Sequence, residues 1–247
     1  MNRHRNREHW RDALPGRKPE AHFRWRGHEV SRLEGFTDAV FAFAVTLLIV
    51  ALEVPHDYDG LVDALKGFPA FVVCFTLLML LWNAHYRYFR RYGLNDRLTR
   101  LLTMGILLLV LFSVYPLKFL FGAILSSGSA HAPHIQTWEQ LQTIYATYGL
   151  GFAGIWGLYT VLYLHALTKR EELSLSPAEV MQTRLHLIGF VINVAVCLLS
   201  VGISRLSVSP GLPGFAYVLL APGLALNYLW HGRQIRALTG AAAPTRH

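Results

Sequence analysis

The sequence predicts an all-α, polytopic membrane protein with six transmembrane helices, and three observations lead there. Hydrophobic residues make up 53% of the 247 and charged residues only 15%, with a mean hydropathy of +0.33; a soluble domain usually carries about a quarter charged residues. The apolar residues gather into six blocks, each near the roughly 20 residues that a helix needs to cross a hydrocarbon core of about 30 Å. The basic residues, which give a net charge of +8, fall in alternate loops beside these blocks rather than along one surface. Such flanks meet anionic lipid and set topology, so the charge does not imply nucleic acid.

The first 32 residues hold nine Arg or Lys and no apolar run. A cleavable signal needs an apolar stretch soon after its basic start, so residues 1–31 are expected to be a retained cytoplasmic arm. Trp10, Phe23 and Trp25 would rest at the headgroup level. The predicted spans are 36–54, 65–86, 98–121, 141–165, 185–203 and 212–230. The fourth is rich in Gly and Tyr, which suits close helix packing. The sixth contains Pro213 and Pro222 and is expected to be kinked, as a membrane helix tolerates when partners satisfy the freed carbonyls. Cys74 and Cys197 both lie inside apolar runs and read as small buried hydrophobes.

With six spans, 20 of the 23 basic residues fall on one side, and only Lys66, Lys118 and Arg205 on the other. The arm-bearing side is then cytoplasmic, with both termini there. Three regions are expected: the arm 1–31, a six-helix membrane domain over 32–235, and a cytoplasmic tail over 236–247.

The first span carries most of the functional information. It opens with Arg32-Leu33-Glu34-Gly35-Phe36-Thr37-Asp38. A carboxylate so close to the bilayer needs a partner or water, although Thr37 and Asp38 also suit a helix start at the interface. Beyond it, Ala39, Phe43, Thr46, Val50 and Glu53 recur at spacings of four, three, four and three, and so share one face. Copies of this helix around an axis would line a narrow path with Phe43 and Val50 as apolar rings, Thr46 as a hydroxyl step and Glu53 toward the outside. Equally, Thr46 can bond back to the carbonyl of Ala42, and Phe43 can fill a helix contact. Trp82 and His85, three apart near the end of the second span, are placed to reach Thr37, Asp38 or Arg32 if the two helices are antiparallel. An aromatic belt followed by basic residues accounts for Trp82, Tyr86, Tyr88 and Phe89 as well.

At these residues the sequence resembles the transmembrane protein 175 family of potassium channels. Arg32, Phe36, Thr37 and Asp38 match that family's Arg-x-x-x-Phe-Ser-Asp hallmark with Thr in place of Ser. Trp82 and His85 match its Trp-x-x-His, and Ser113 and Pro116 its Ser-x-x-Pro. The likeness in length and span number covers residues 30–235, and the distinctive residues lie in 32–116. It implies a homotetramer whose first helices surround a central pore, with Phe43 at the narrowest ring, Thr46 at the hydroxyl ring linked to potassium preference, and Val50 next outward. Arg32, Phe36, Thr37, Asp38, Trp82 and His85 would brace the pore helix rather than touch the ion. Where the family generally has Ile or Leu, Phe43 is larger and aromatic. The resemblance implies passage of a monovalent cation, K+, in a cell membrane, and no cofactor.

A secondary transporter is the main alternative, and it would show discontinuous helices and repeats around a midplane site. Pro116 and the Gly/Pro-rich sixth segment are its nearest hints. No catalytic spacing joins Asp38, His85, His165 and His186, so an enzyme is not expected.

Overall fold

The structure, a computed structural model, describes residues 23–50, 56–125, 135–206, 209 and 211–241. Helices α1 (Arg32–Val50), α2 (Tyr58–Tyr92), α3 (Arg97–Leu125), α4 (Trp138–Thr168) and α5 (Pro177–Leu206) follow in order. They are succeeded by the short α6 (Leu212–Phe215), a tight 3-10 stretch (Ala216–Leu219) and α7 (Leu220–Ala241). Six stretches among the described residues are long and apolar enough to cross a membrane, the last running from Leu212 to Ile235.

Polar caps fix where the helices begin. Asp57 accepts from the Gly60 amide at 2.7 Å to start α2, and Thr137 and Gln140 form a reciprocal capping box at α4. Ser176 and Glu179 exchange similar bonds around Pro177 at the start of α5. Each cap satisfies amides that the first turn leaves without partners. The helices outrun their apolar cores: α2 has 35 residues, or roughly 52 Å at helical rise, well over the bilayer core. Its surplus lies on the arm side, where it carries Arg87, Arg90 and Arg91.

The predicted kink in the sixth span is present, and its cause is local. Proline at 222 has no amide to bond the carbonyl four residues back, and its ring crowds that carbonyl. The chain answers with the 3-10 turn over Ala216–Leu219 immediately before it. Pro213 sits at the first turn of α6, where a missing amide costs nothing.

Packing runs α1 against α2 and α3, then α3 on α4, α4 on α5, and α5 on α7, with α4 and α5 the most extensive pair. Gly149 explains that closeness: a Cβ there would stand 2.3 Å from Val201 Cγ2 and 3.1 Å from the Cys197 carbonyl. An aromatic cluster of Tyr88, Tyr92, Tyr159, Tyr163 and Phe190 joins the arm side of α2 to α4 and α5. Within it Tyr159 donates to the Leu81 carbonyl at 2.8 Å, and the Tyr92 and Thr183 hydroxyls lie 2.7 Å apart. The rigid α2 is the post against which α1 stands.

Candidate pore helix and its braces

Helix α1 has two unlike faces. Leu33, Glu34, Thr37, Phe41, Ala44 and Leu48 are buried against α2 and α3. Ala39, Phe43, Thr46 and Val50 are exposed together on the other face, Phe43 at 54% and Val50 at 69%. The predicted stripe is therefore continuous and uncovered by the rest of its own chain as far as Val50. Glu53 lies outside the described residues. The Thr46 hydroxyl donates to the Ala42 carbonyl at 3.0 Å, a back-bond that leaves its oxygen facing the same exposed side.

The start of α1 is held by a ladder of side chains. Ser31 Oγ accepts from the Glu34 amide at 3.1 Å, capping the helix. Trp82 Nε1 donates to Asp38 Oδ1 at 2.8 Å. The Trp82 ring stacks on Tyr86 at 5.5 Å, and the Arg90 guanidinium lies 5.7 Å from the Tyr86 ring. Arg90 closes the ladder by pairing with Glu34, through Nε at 3.0 Å and through its second terminal nitrogen. Positions 34 and 38 on α1 thus meet 90, 86 and 82 on α2, the spacing of four on each antiparallel helix keeping them in register.

Arg90 also secures the chain before α1. Its other terminal nitrogen donates to the Gly27 carbonyl at 2.7 Å, while its own carbonyl accepts from the Arg26 and Gly27 amides at 3.0 and 3.2 Å. Only glycine fits at 27, because a Cβ would stand 2.4 Å from the Phe89 carbonyl oxygen. Arg26 then forms a two-pronged pair with Glu179 at 2.9 and 3.0 Å and donates to the Leu173 carbonyl at 2.8 Å. Phe23, expected at the headgroups, is instead buried at 2% exposure, edge-on to Tyr92 and under the Arg91 guanidinium. The last part of the predicted arm is a strap across α2 and α5.

Not every expected brace takes part as predicted. Thr37 is buried and bonds to its own helix at the Leu33 carbonyl, 2.9 Å away. Phe36 is exposed and Arg32 is only partly covered at the helix entrance. His85 does not reach Asp38. It is 1% exposed, its ring lies 5.0 Å from Phe89 and 5.8 Å from Tyr159, and neither ring nitrogen has a hydrogen-bond partner among the described residues. Helical rotation is the reason: from Trp82, residue 86 turns about 40° to one side and residue 85 about 60° to the other. Tyr86 stays in the ladder and His85 faces α4.

A second tie secures the arm-side ends of α3 and α4. Asp96 accepts from the Thr99 amide and hydroxyl, and its Oδ2 lies 2.7 Å from His165 Nε2. Partial burial raises the Asp96 carboxyl, but the bonds from Thr99 and His165 outweigh it and hold the group below the usual range.

Known proteins resemble this chain at the same residues. The family model for the endosomal/lysosomal potassium channel TMEM175 matches residues 32–116. A potassium channel from Marivirga tractuosa is 32% identical over 216 residues, spanning 81% of this chain and 87% of that protein. A potassium channel from Streptomyces collinus is 31% identical over 110 residues, 42% of this chain and 53% of its own length. Among solved structures, the crystal structure of a single-residue variant of the potassium channel MtTMEM175, complexed with a nanobody–MBP fusion, superimposes with a TM-score of 0.75. It is 29% identical in sequence, over 88% of this chain and 99% of that one. The structure of a lysosomal potassium-selective channel TMEM175 homologue from Chamaesiphon minutus shares the fold at a TM-score of 0.52 and 24% identity, covering 79% and 96% of the two chains.

Proposed function

Because the chain belongs to the TMEM175 family of potassium channels, we propose that it conducts K+ passively through a homotetramer whose α1 helices line the pore. The observation that carries this reading is the asymmetry of α1. One face is locked to α2 and α3 by buried packing and the Glu34–Arg90 pair, and the opposite face presents Phe43, Thr46 and Val50 with no cover from its own chain. A helix fixed so firmly on one side and bare on the other is suited to meet copies of itself. Around a fourfold axis the Phe43 rings form the narrowest, apolar constriction, the Thr46 hydroxyls the polar step and Val50 the next ring, with Glu53 beyond. A tight apolar ring opposes water and ions alike until it widens or polar groups assist, so diameter and hydroxyl have separable effects.

Asp38 and Trp82 act in this reading as braces, with Thr37 and His85 packed behind them and Arg32 and Phe36 at the helix entrance. The chain lies in a cell membrane with both ends cytoplasmic. Reconstitution into liposomes, with reversal potentials for potassium, sodium and caesium, tests the proposal. Phe43→Ala should raise cation flux and weaken discrimination among the three ions. Thr46→Val keeps the size nearly constant and removes the hydroxyl, so it should reduce potassium preference with little effect on assembly. Wild-type conductance and selectivity in both variants, with normal assembly, would remove the stripe from the pore.

A further inference from the structure

Away from α1, a cavity of about 530 Å³ opens between the arm-side ends of α2 and α5 and the middle of α7. Its volume lies in the range of pockets that hold small molecules. Arg87 and Arg91, four apart on α2, face into it, and no carboxylate is among its lining residues. The Nε of Arg87 has no hydrogen-bond partner among the described residues. Two acceptor oxygens are in the same condition: Oε1 of Gln182, and Oδ1 of Asn227, whose side chain is only 9% exposed and donates through Nδ2 to the Leu185 carbonyl. Deeper in, the walls are apolar, Trp156 and Leu224 among them. Along α5 the cavity extends from Gln182 to Asn193, roughly 16 Å at helical rise, or half the hydrocarbon thickness.

These groups define a ligand by what they lack. Two guanidiniums without a lining carboxylate call for an anion, and phosphate suits their fork of donors. Buried amide oxygens call for hydroxyl donors, because an unpaired buried acceptor is costly. An apolar wall running toward the middle of the membrane calls for a hydrocarbon chain. We propose that this cavity binds an anionic phospholipid with a hydroxylated headgroup, of the phosphatidylglycerol type. The phosphate sits between Arg87 and Arg91, the headgroup hydroxyls donate to Gln182 and Asn227, and an acyl chain lies along Trp156 and Leu224. The chain's own beginning is the wrong occupant on charge, since residues 1–22 carry six basic and three acidic side chains. The site is separate from the α1 stripe, so it stands or fails independently of conduction.

Native mass spectrometry of the purified full chain, titrated with defined lipids, tests the assignment. Phosphatidylglycerol should bind about tenfold more tightly than phosphatidylcholine, as two basic side chains at a membrane surface warrant. Arg87→Gln should weaken both phosphatidylglycerol and phosphatidic acid by about fivefold and leave phosphatidylcholine unchanged. Gln182→Met should erase the advantage of phosphatidylglycerol over phosphatidic acid, because only the former brings hydroxyls to that oxygen. Leu224→Trp, which fills the cavity without touching charge, should displace phosphatidylglycerol and serves if Arg87→Gln does not assemble. Equal binding of phosphatidylglycerol and phosphatidylcholine overturns the proposal. So does undiminished phosphatidylglycerol binding in Arg87→Gln and Leu224→Trp. Displacement of the lipid by soluble glycerol phosphate at comparable concentration overturns the lipid assignment in favour of a free phosphate ester.

Discussion

Glu34 and Arg90 are the most consequential single residues outside the stripe. Both are nearly buried, so removing one partner strands the other's charge away from water, which typically costs about 3–5 kcal/mol. Glu34→Gln should lower the melting temperature in detergent and reduce recovered assembly while leaving the ion preference of the surviving channels intact. A selectivity change without a loss of stability would contradict a bracing role. Asp96 answers to pH. Its carboxyl is depressed in the folded chain, so its stabilising contribution is present above the unfolded value, about 3.9, and is lost as pH falls through the lower folded value. The stability gap between wild type and Asp96→Asn should therefore be full at pH 6 and shrink below about pH 4; a gap that widens on acidification would refute the assignment. The sequence revealed only part of this. Asp38 and Trp82 were legible as a pair because a membrane-edge carboxylate needs a donor and indole has one. Glu34 was not, because Ser31-x-x-Glu34 reads as a capping box and Arg90 as one of many topology-setting arginines. Their pairing depends on the register of two helices, which one sequence does not state.

Among the elements, the α4–α5 pair has the least room for change. Gly149→Ala puts a methyl into Val201 and against the Cys197 carbonyl, an overpacking of the kind that costs about 1–3 kcal/mol. Val201→Ala in the same chain removes the closer clash and should recover part of the lost melting temperature, whereas additive losses in the double variant would mean that the helices do not meet there. The Gly-rich composition of the fourth span foretold close packing, but not its partner. All six spans were legible because long apolar runs have few alternatives in lipid. Their surplus turns on the arm side were harder to read, because polar helix and polar loop look alike without caps. The kink before Pro222 was anticipated from the proline alone, and the 3-10 turn supplies its form.

For the whole molecule, alternation of six spans places the loop before α2 and the loop between α4 and α5 on opposite sides of the membrane. The two native cysteines are buried, so introduced ones report cleanly. Asp59→Cys should react with an impermeant reagent on intact cells, and Glu171→Cys only after permeabilisation. External labelling at 171 would invert the topology. The strap formed by residues 23–27 bears on a different question, the order in which the molecule is made. Arg26 meets its partner Glu179 across a sequence separation of 153 positions. At typical synthesis rates of about 5–20 residues per second, roughly 8–30 s separate the two residues' emergence. The first ordered segment to leave the ribosome is thus the last to find its seat, and α1 must wait in the bilayer with its strap undocked until α5 arrives. Assembly of subunits through the bare face of α1 is in this way timed to follow completion of the chain.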